Sequence, residues 1–139
     1  MEGNPRRSLR ENGRSMKAGN TLPQSFSYAA QGIRTSFTER NFKVHCLMAF
    51  VALVLCALLS VPAWGWVAVI VCIGMGFAAE AVNTAVEAVV DLASPELHPL
   101  AKRAKDCAAG AVLILAVASV LVAAIVYIPP FMALMGVFQ

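Results

Sequence analysis

Charge is what this sequence has least of. Asp, Glu, Lys and Arg make up 14% of its 139 residues, where a soluble domain carries about a quarter. The signatures of soluble phosphoryl-transfer enzymes are missing too: there is no GxxxxGK[ST] loop and no protein-kinase motif set. No CxxC or Cys/His pattern occurs among Cys46, Cys56, Cys72 and Cys107. Three of these lie in apolar runs and read as small hydrophobes rather than metal ligands or disulfide partners. No signal peptide is expected, because the first apolar run begins only at residue 44. Nor is a nucleic-acid partner.

What the chain has instead is apolar sequence in blocks. It is 59% hydrophobic, with a mean hydropathy of +0.70. Val44 to Val61 carries no Asp, Glu, Lys or Arg, no Pro and no Gly. At about 1.5 Å per residue it covers most of a hydrocarbon core of about 30 Å. Val61-Pro62-Ala63-Trp64-Gly65-Trp66 then reads as a tight turn, with its Trp pair at a membrane–water boundary. The second block runs from about Trp66 to Val90 and contains Glu80, Asn83 and Glu87. The third runs from Ala108 to Ile128 and closes with Tyr127 and Pro129-Pro130. The expectation is an all-α integral membrane protein with transmembrane helices at about 42–62, 66–92 and 99–129.

Charge placement gives an orientation. Residues 1–43 hold eight Lys or Arg against Glu2, Glu11 and Glu39, and the segment after the second span holds Lys102, Arg103 and Lys105. The turn between the first two spans has none. The positive-inside rule puts the N-terminus and the 91–106 segment in the cytoplasm and the C-terminus outside, in the cell (inner) membrane.

Residues 1–24 read as a disordered basic tail, rich in Arg, Asn, Gly and Ser, ahead of a membrane domain over 25–139. In 25–40, Phe26, Ala30, Ile33 and Phe37 recur at helical spacing and make one apolar stripe. That spacing predicts an amphipathic helix lying in the interface or against the end of the bundle. His98-Pro99 starts the third span, since Pro suits a helix's first turn.

The second span holds the chemistry. Glu80, Asn83, Glu87 and Asp91 are spaced i, i+3, i+7, i+11, which puts them within a sector of roughly 80°, with Glu80 and Glu87 roughly 10 Å apart along the axis. An acidic residue at the bilayer centre costs about 2.5–3.5 kcal/mol on insertion scales. Such a stripe therefore faces protein or a wet cleft. It could join helices by hydrogen bonds alone, or it could be a site, with Glu80 deepest as a proton acceptor. Gly74, Ala78, Ala81, Ala85 and Ala88 allow other helices to approach closely. Three helices shield so much polar surface poorly, so oligomerisation is expected. Carboxylates suit Mg²⁺ bridged to phosphates, and Lys105 adds positive charge nearby. Chemistry alone permits phosphoryl transfer to a lipid alcohol and, equally, proton-coupled transport.

One resemblance separates these. Glu80-Ala-Val-Asn83-Thr-Ala-Val-Glu87-Ala-Val-Val-Asp91 closely resembles the signature of the prokaryotic diacylglycerol kinase and undecaprenol kinase family. Ala104-Lys105-Asp106 ahead of Ala108-Ala109-Gly110 is similar to its second signature. Ser25 to Arg34 and Glu39-Arg40-Asn41-Phe42 look like its N-terminal helix and the approach to span one. The run Leu92 to Lys102, with Pro95 and Pro99, looks more like the undecaprenol kinase branch. The resemblance covers about residues 25–130.

It implies a homotrimer of three-helix protomers with shared sites. It also implies ATP-dependent phosphorylation of a membrane lipid's hydroxyl: undecaprenol first, diacylglycerol as the alternative. Carried over by position, Glu80 looks like the general base, Glu39 and Glu87 like Mg²⁺ ligands, and Asn83 like their support. Lys105 and Asp106 look like nucleotide contacts, Lys105 on the phosphates. Tyr28, Glu96 and His98 look like further nucleotide contacts. The family's nucleotide-contacting Arg ahead of the surface helix has no match; Thr21 stands near that place.

Overall fold

The computed structural model describes residues 21–94, 96 and 98–136. The expected tail lies outside them as far as residue 20, as do Pro95 and Leu97 of the connecting segment. Four helices follow one another: α1 Leu22–Ser36, α2 Arg40–Leu58, α3 Ala63–Ala93 and α4 Pro99–Leu134. The expected all-α class is what is found, and no strand occurs among the described residues. The chain divides into two units, with the boundary between Gly32 and Ile33.

Helix α1 begins at Leu22, three residues before the expected start of the surface helix at 25, and the reason is local. The Thr21 amide donates to Gln24 Oε1 at 3.0 Å. This is half of a capping box, Thr-x-x-Gln, with Pro23 in the first turn where its missing N–H costs nothing. The helix also stops at Ser36 rather than residue 40. Thr38 Oγ1 donates to the Thr35 carbonyl at 2.7 Å, and the Glu39 amide to Ser36 O at 3.0 Å, which turns the chain. The apolar stripe is exposed at Phe26 and Ile33.

The turn between α2 and α3 is a Schellman motif. Val61 N–H donates to Cys56 O at 3.0 Å and Ser60 N–H to Ala57 O at 3.3 Å, with Ser60 in the left-handed region at φ 51°. Gly65 is not in this turn, contrary to the sequence expectation. It lies in the first turn of α3, which starts at Ala63 with Pro62 as its N-cap. A Cβ at Gly65 would stand 2.4 Å from Val61 Cγ1 and 3.1 Å from Val126 Cγ1. Here glycine serves close packing. Cys56, Val61, Val69 and Val126 form the buried core at this end of the bundle. Tyr127 ties α4 to α2, its hydroxyl donating to Ala52 O at 2.9 Å.

Helix α4 does not end at Pro129-Pro130 as expected but runs through both to Leu134. Two consecutive prolines forfeit two intrahelical bonds, yet their fixed φ near −65° is itself helical.

Helices α2, α3 and α4, of 19, 31 and 36 residues, are long and apolar enough to cross a membrane. At 1.5 Å per residue α3 and α4 measure roughly 46 and 54 Å, well beyond a hydrocarbon core of about 30 Å. Their polar ends therefore project past it. Most large apolar side chains on the three helices, such as Leu47, Phe50, Leu58, Val67, Ile114 and Leu121, face outward and exposed. That is the surface of a protein whose solvent is hydrocarbon.

Candidate active site

The polar stripe lies at the end of the bundle opposite the core. It is fixed there by aromatic packing: Phe37 meets Phe42 edge-on at 4.8 Å between ring centroids, and Phe42 meets Phe77 on α3 at 4.9 Å. Phe42 is buried at the start of α2. Glu80, one turn beyond Phe77, thus stands level with the first turns of α2, beside His45. It is the innermost acid of the stripe.

Glu80 is 3% exposed and Asn83 5%, so protein covers both although they are polar. Asn83 Nδ2 donates to Glu87 Oε1 at 2.9 Å. This bond holds the Glu87 carboxylate along the stripe and turns the other end of the amide away. Asn83 Oδ1 is buried with no partner among the described residues. A buried acceptor left unpaired is costly, so this oxygen is an open ligating or accepting position beside Glu87. Thr84 Oγ1 donates to the Glu80 carbonyl at 3.0 Å, the usual way a mid-helix threonine is satisfied.

Asp91 ends the stripe and is exposed. Lys105 Nζ on α4 lies 2.5 Å from its Oδ1, which brings Lys105 onto the end of the stripe. Asp106 points elsewhere and pairs with Lys102 one turn before it. Glu39 is the exposed N-cap of α2 and makes no side-chain cap bond. Glu96 is exposed, and its carbonyl accepts from Ser94 Oγ at 3.0 Å. His98 caps α4, its Nδ1 accepting the Leu100 amide at 3.2 Å. Tyr28 is exposed on α1 within the first unit. The single chain thus assembles Glu80, Asn83, Glu87, Asp91 and Lys105. Glu39, Glu96, His98 and Asp106 stand outside that set of contacts.

No three His, Cys, Asp or Glu side chains converge among the described residues. The oxygens of Glu87 and Asn83 nonetheless suit Mg²⁺, which commonly takes only one or two carboxylates and completes its shell with water and phosphate. The sequence reading missed His45. It counts as part of an apolar run, yet its Nε2 lies 3.9 Å from Glu80 Oε2. A titratable ring in the first turns of an otherwise apolar span was the available signal.

Three membrane-crossing helices with a buried acid at one end and a cation beside it define a multi-pass membrane protein with a polar reaction site. Residues 27–127 match the family model for prokaryotic diacylglycerol kinase, and the chain belongs to that family of membrane lipid kinases. It is 40% identical to the undecaprenol kinase of Bacillus subtilis (strain 168) over 111 residues, 79% of this chain and 90% of that one. It is 37% identical to a diacylglycerol kinase of Synechocystis over 132 residues, 94% of this chain and 74% of that one. With the diacylglycerol kinase of Escherichia coli (strain K12) it shares 34% over 95 residues, 68% of this chain and 78% of that one. Of the two chemistries the residues permitted, phosphoryl transfer is therefore the one this protein performs.

Proposed function

We propose that this lipid kinase transfers the terminal phosphoryl group of ATP to the hydroxyl of undecaprenol. The observation that carries the chemistry is the face of α3 itself: a buried carboxylate at Glu80, with Asn83, Glu87 and the Lys105 ammonium following toward the polar end. Glu80 accepts the proton of the lipid alcohol, whose oxygen becomes the nucleophile. Glu39 and Glu87 hold Mg²⁺, and Asn83 orients Glu87 for it. A Mg²⁺ held by these carboxylates would supply neutralisation of the phosphate charge. Lys105 meets the phosphates, exchanging its Asp91 partner for them. Tyr28, Glu96, His98 and Asp106 contact the nucleotide. His98 retains its second ring nitrogen for this, since Nδ1 is engaged at the helix cap.

The undecaprenol assignment is supported by 40% identity to an undecaprenol kinase over 90% of that relative's length. Diacylglycerol is the second reading, favoured by a diacylglycerol kinase matched over 94% of this chain. The working unit is a homotrimer. Gly74, Ala78, Ala85 and Ala88 stay exposed on α3, leaving a smooth helix face for close approach by another chain. A site at the cytoplasmic side of the inner membrane, with the C-terminus outside, is supported by the basic N-terminal segment and by Lys102, Arg103 and Lys105 under the positive-inside rule.

The test is transfer of label from radioactive ATP by the purified protein in detergent, with undecaprenol and diacylglycerol in parallel. A phosphorylated product preferentially from undecaprenol is expected. Preference for diacylglycerol reverses the substrate assignment, and no lipid product from either removes both.

A further inference from the structure

His45 has no role in the chemistry above, yet it is the one basic side chain within ion-pair distance of Glu80 among the described residues. Its Nε2 lies 3.9 Å from Glu80 Oε2, with the carboxylate side chain 4% and the imidazole 27% exposed. The ring has a built seat on α3. On one side it lies against Gly76, where a Cβ would stand 3.5 Å from Nδ1. On another it faces the Phe77 ring at 6.3 Å between centroids. Gly76 and Glu80 are one helical turn apart, so His45 spans the turn that carries the acid.

The same ring borders a groove of about 250 Å³ between α2, α3 and α4, whose lining is mainly apolar, including Met48, Ile73, Leu115 and Val120. Tyr127, the other ring-bearing polar group there, is already bonded to Ala52 O. His45 thus lines this groove and also lies within ion-pair distance of Glu80.

We propose that His45 is a positioning residue for Glu80. Its Nε2–H donates to one carboxylate oxygen and leaves the other aimed at the lipid hydroxyl. The inference rests on Glu80 being the base. The observed 3.9 Å exceeds hydrogen-bond range, and catalytic contacts of this kind tighten when substrate arrives. In the step itself the lipid O–P bond forms and the bridging O–P bond of ATP breaks. The hydroxyl proton passes to Glu80, and His45 exchanges none. Without the donor the carboxylate keeps its place on α3 but loses its orientation, which affects turnover and not nucleotide binding.

The experiment compares His45→Leu with His45→Gln, which keeps an N–H donor, measuring kcat, the KM for ATP and the melting temperature. Expected for His45→Leu is a fall in kcat of about 10- to 100-fold, the range for losing a residue that orients a reacting group, with an unchanged KM for ATP. His45→Gln should recover most of it. In a Glu80→Asp background, His45→Leu should cost much less than in the wild type, because both act through one carboxylate. If His45→Leu does not fold, His45→Phe replaces it with the same expectations. Wild-type kcat in the apolar variant, equal losses in the Leu and Gln variants, or a full additive loss in the Glu80→Asp background overturns the proposal. Near-normal turnover by Glu80→Gln is a different failure: it removes the base itself.

Discussion

Lys105 on the second turn of α4 reaches back to Asp91 at the end of α3, Nζ to Oδ1 2.5 Å. Their side chains are 37% and 67% exposed, and such a pair contributes only about 0–1 kcal/mol to stability. What it does is place a cation one turn beyond Glu87, where phosphates would arrive. Lys105→Met should raise the KM for ATP about 10- to 100-fold, the loss of one charge-assisted bond of about 1.5–3 kcal/mol. Asp91→Asn should change it only a few-fold and leave the melting temperature alone. An unchanged KM in Lys105→Met takes that residue off the phosphates.

Asn83 and Glu87 act as one device. Replacing Asn83 by Leu removes the donor that holds Glu87 Oε1 at 2.9 Å and the unpaired Oδ1 beside it. Glu87→Gln removes charge and keeps shape. Both should shift the Mg²⁺ concentration for half-maximal activity upward, Glu87→Gln by more. Titration of activity with Mg²⁺ reads this directly, and identical curves for wild type and Glu87→Gln would exclude Glu87 as a ligand.

The opposite end of the bundle should be separable from catalysis. Gly65→Ala drives a methyl into Val61 and Val126, and overpacking of this kind costs about 1–3 kcal/mol. Ser60→Gly relieves a left-handed residue at φ 51°, a gain of at most about 1 kcal/mol. Thermal unfolding in detergent should move down for the first variant and up for the second. The surviving folded fraction should phosphorylate lipid normally in both.

Much of this architecture is readable from the residues because a membrane leaves few choices. An apolar run of span length must be helical, and period-3.6 spacing of Glu80, Asn83, Glu87 and Asp91 fixes their shared face whatever the packing. Helix ends depend on local bonds instead. Gly65 reads as a turn residue until Val126 is seen packed against it, and Thr21-x-x-Gln24 is a capping box that the tail's composition hides. Pro129-Pro130 reads as a stop because the intrahelical bonds it forfeits are visible in the sequence and the continuing turn to Leu134 is not. His45 escapes notice because its meaning lies in Glu80, 35 positions away, and only the antiparallel pairing of α2 with α3 brings them together.

Sharing of sites between protomers has a clean test. Glu80→Gln and Glu39→Ala protomers, each inactive alone, are mixed and reconstituted together. If Glu39 of one chain serves the Glu80 face of another, some mixed assemblies hold one intact site and activity returns. Verified mixed oligomers without recovery would place each site within a single chain.

The most direct measurement is the rate at which the terminal phosphate of radiolabelled ATP appears on undecaprenol, for the wild type and Glu80→Gln side by side. ATP binding is followed in the same preparations. Expected is a lipid product from the wild type and a fall of about 10²–10⁴-fold in Glu80→Gln, the usual cost of removing a general base, with ATP binding retained. Turnover by Glu80→Gln within a few-fold of the wild type, in protein that binds ATP normally, would contradict the assignment of Glu80 and with it the mechanism built on the α3 face.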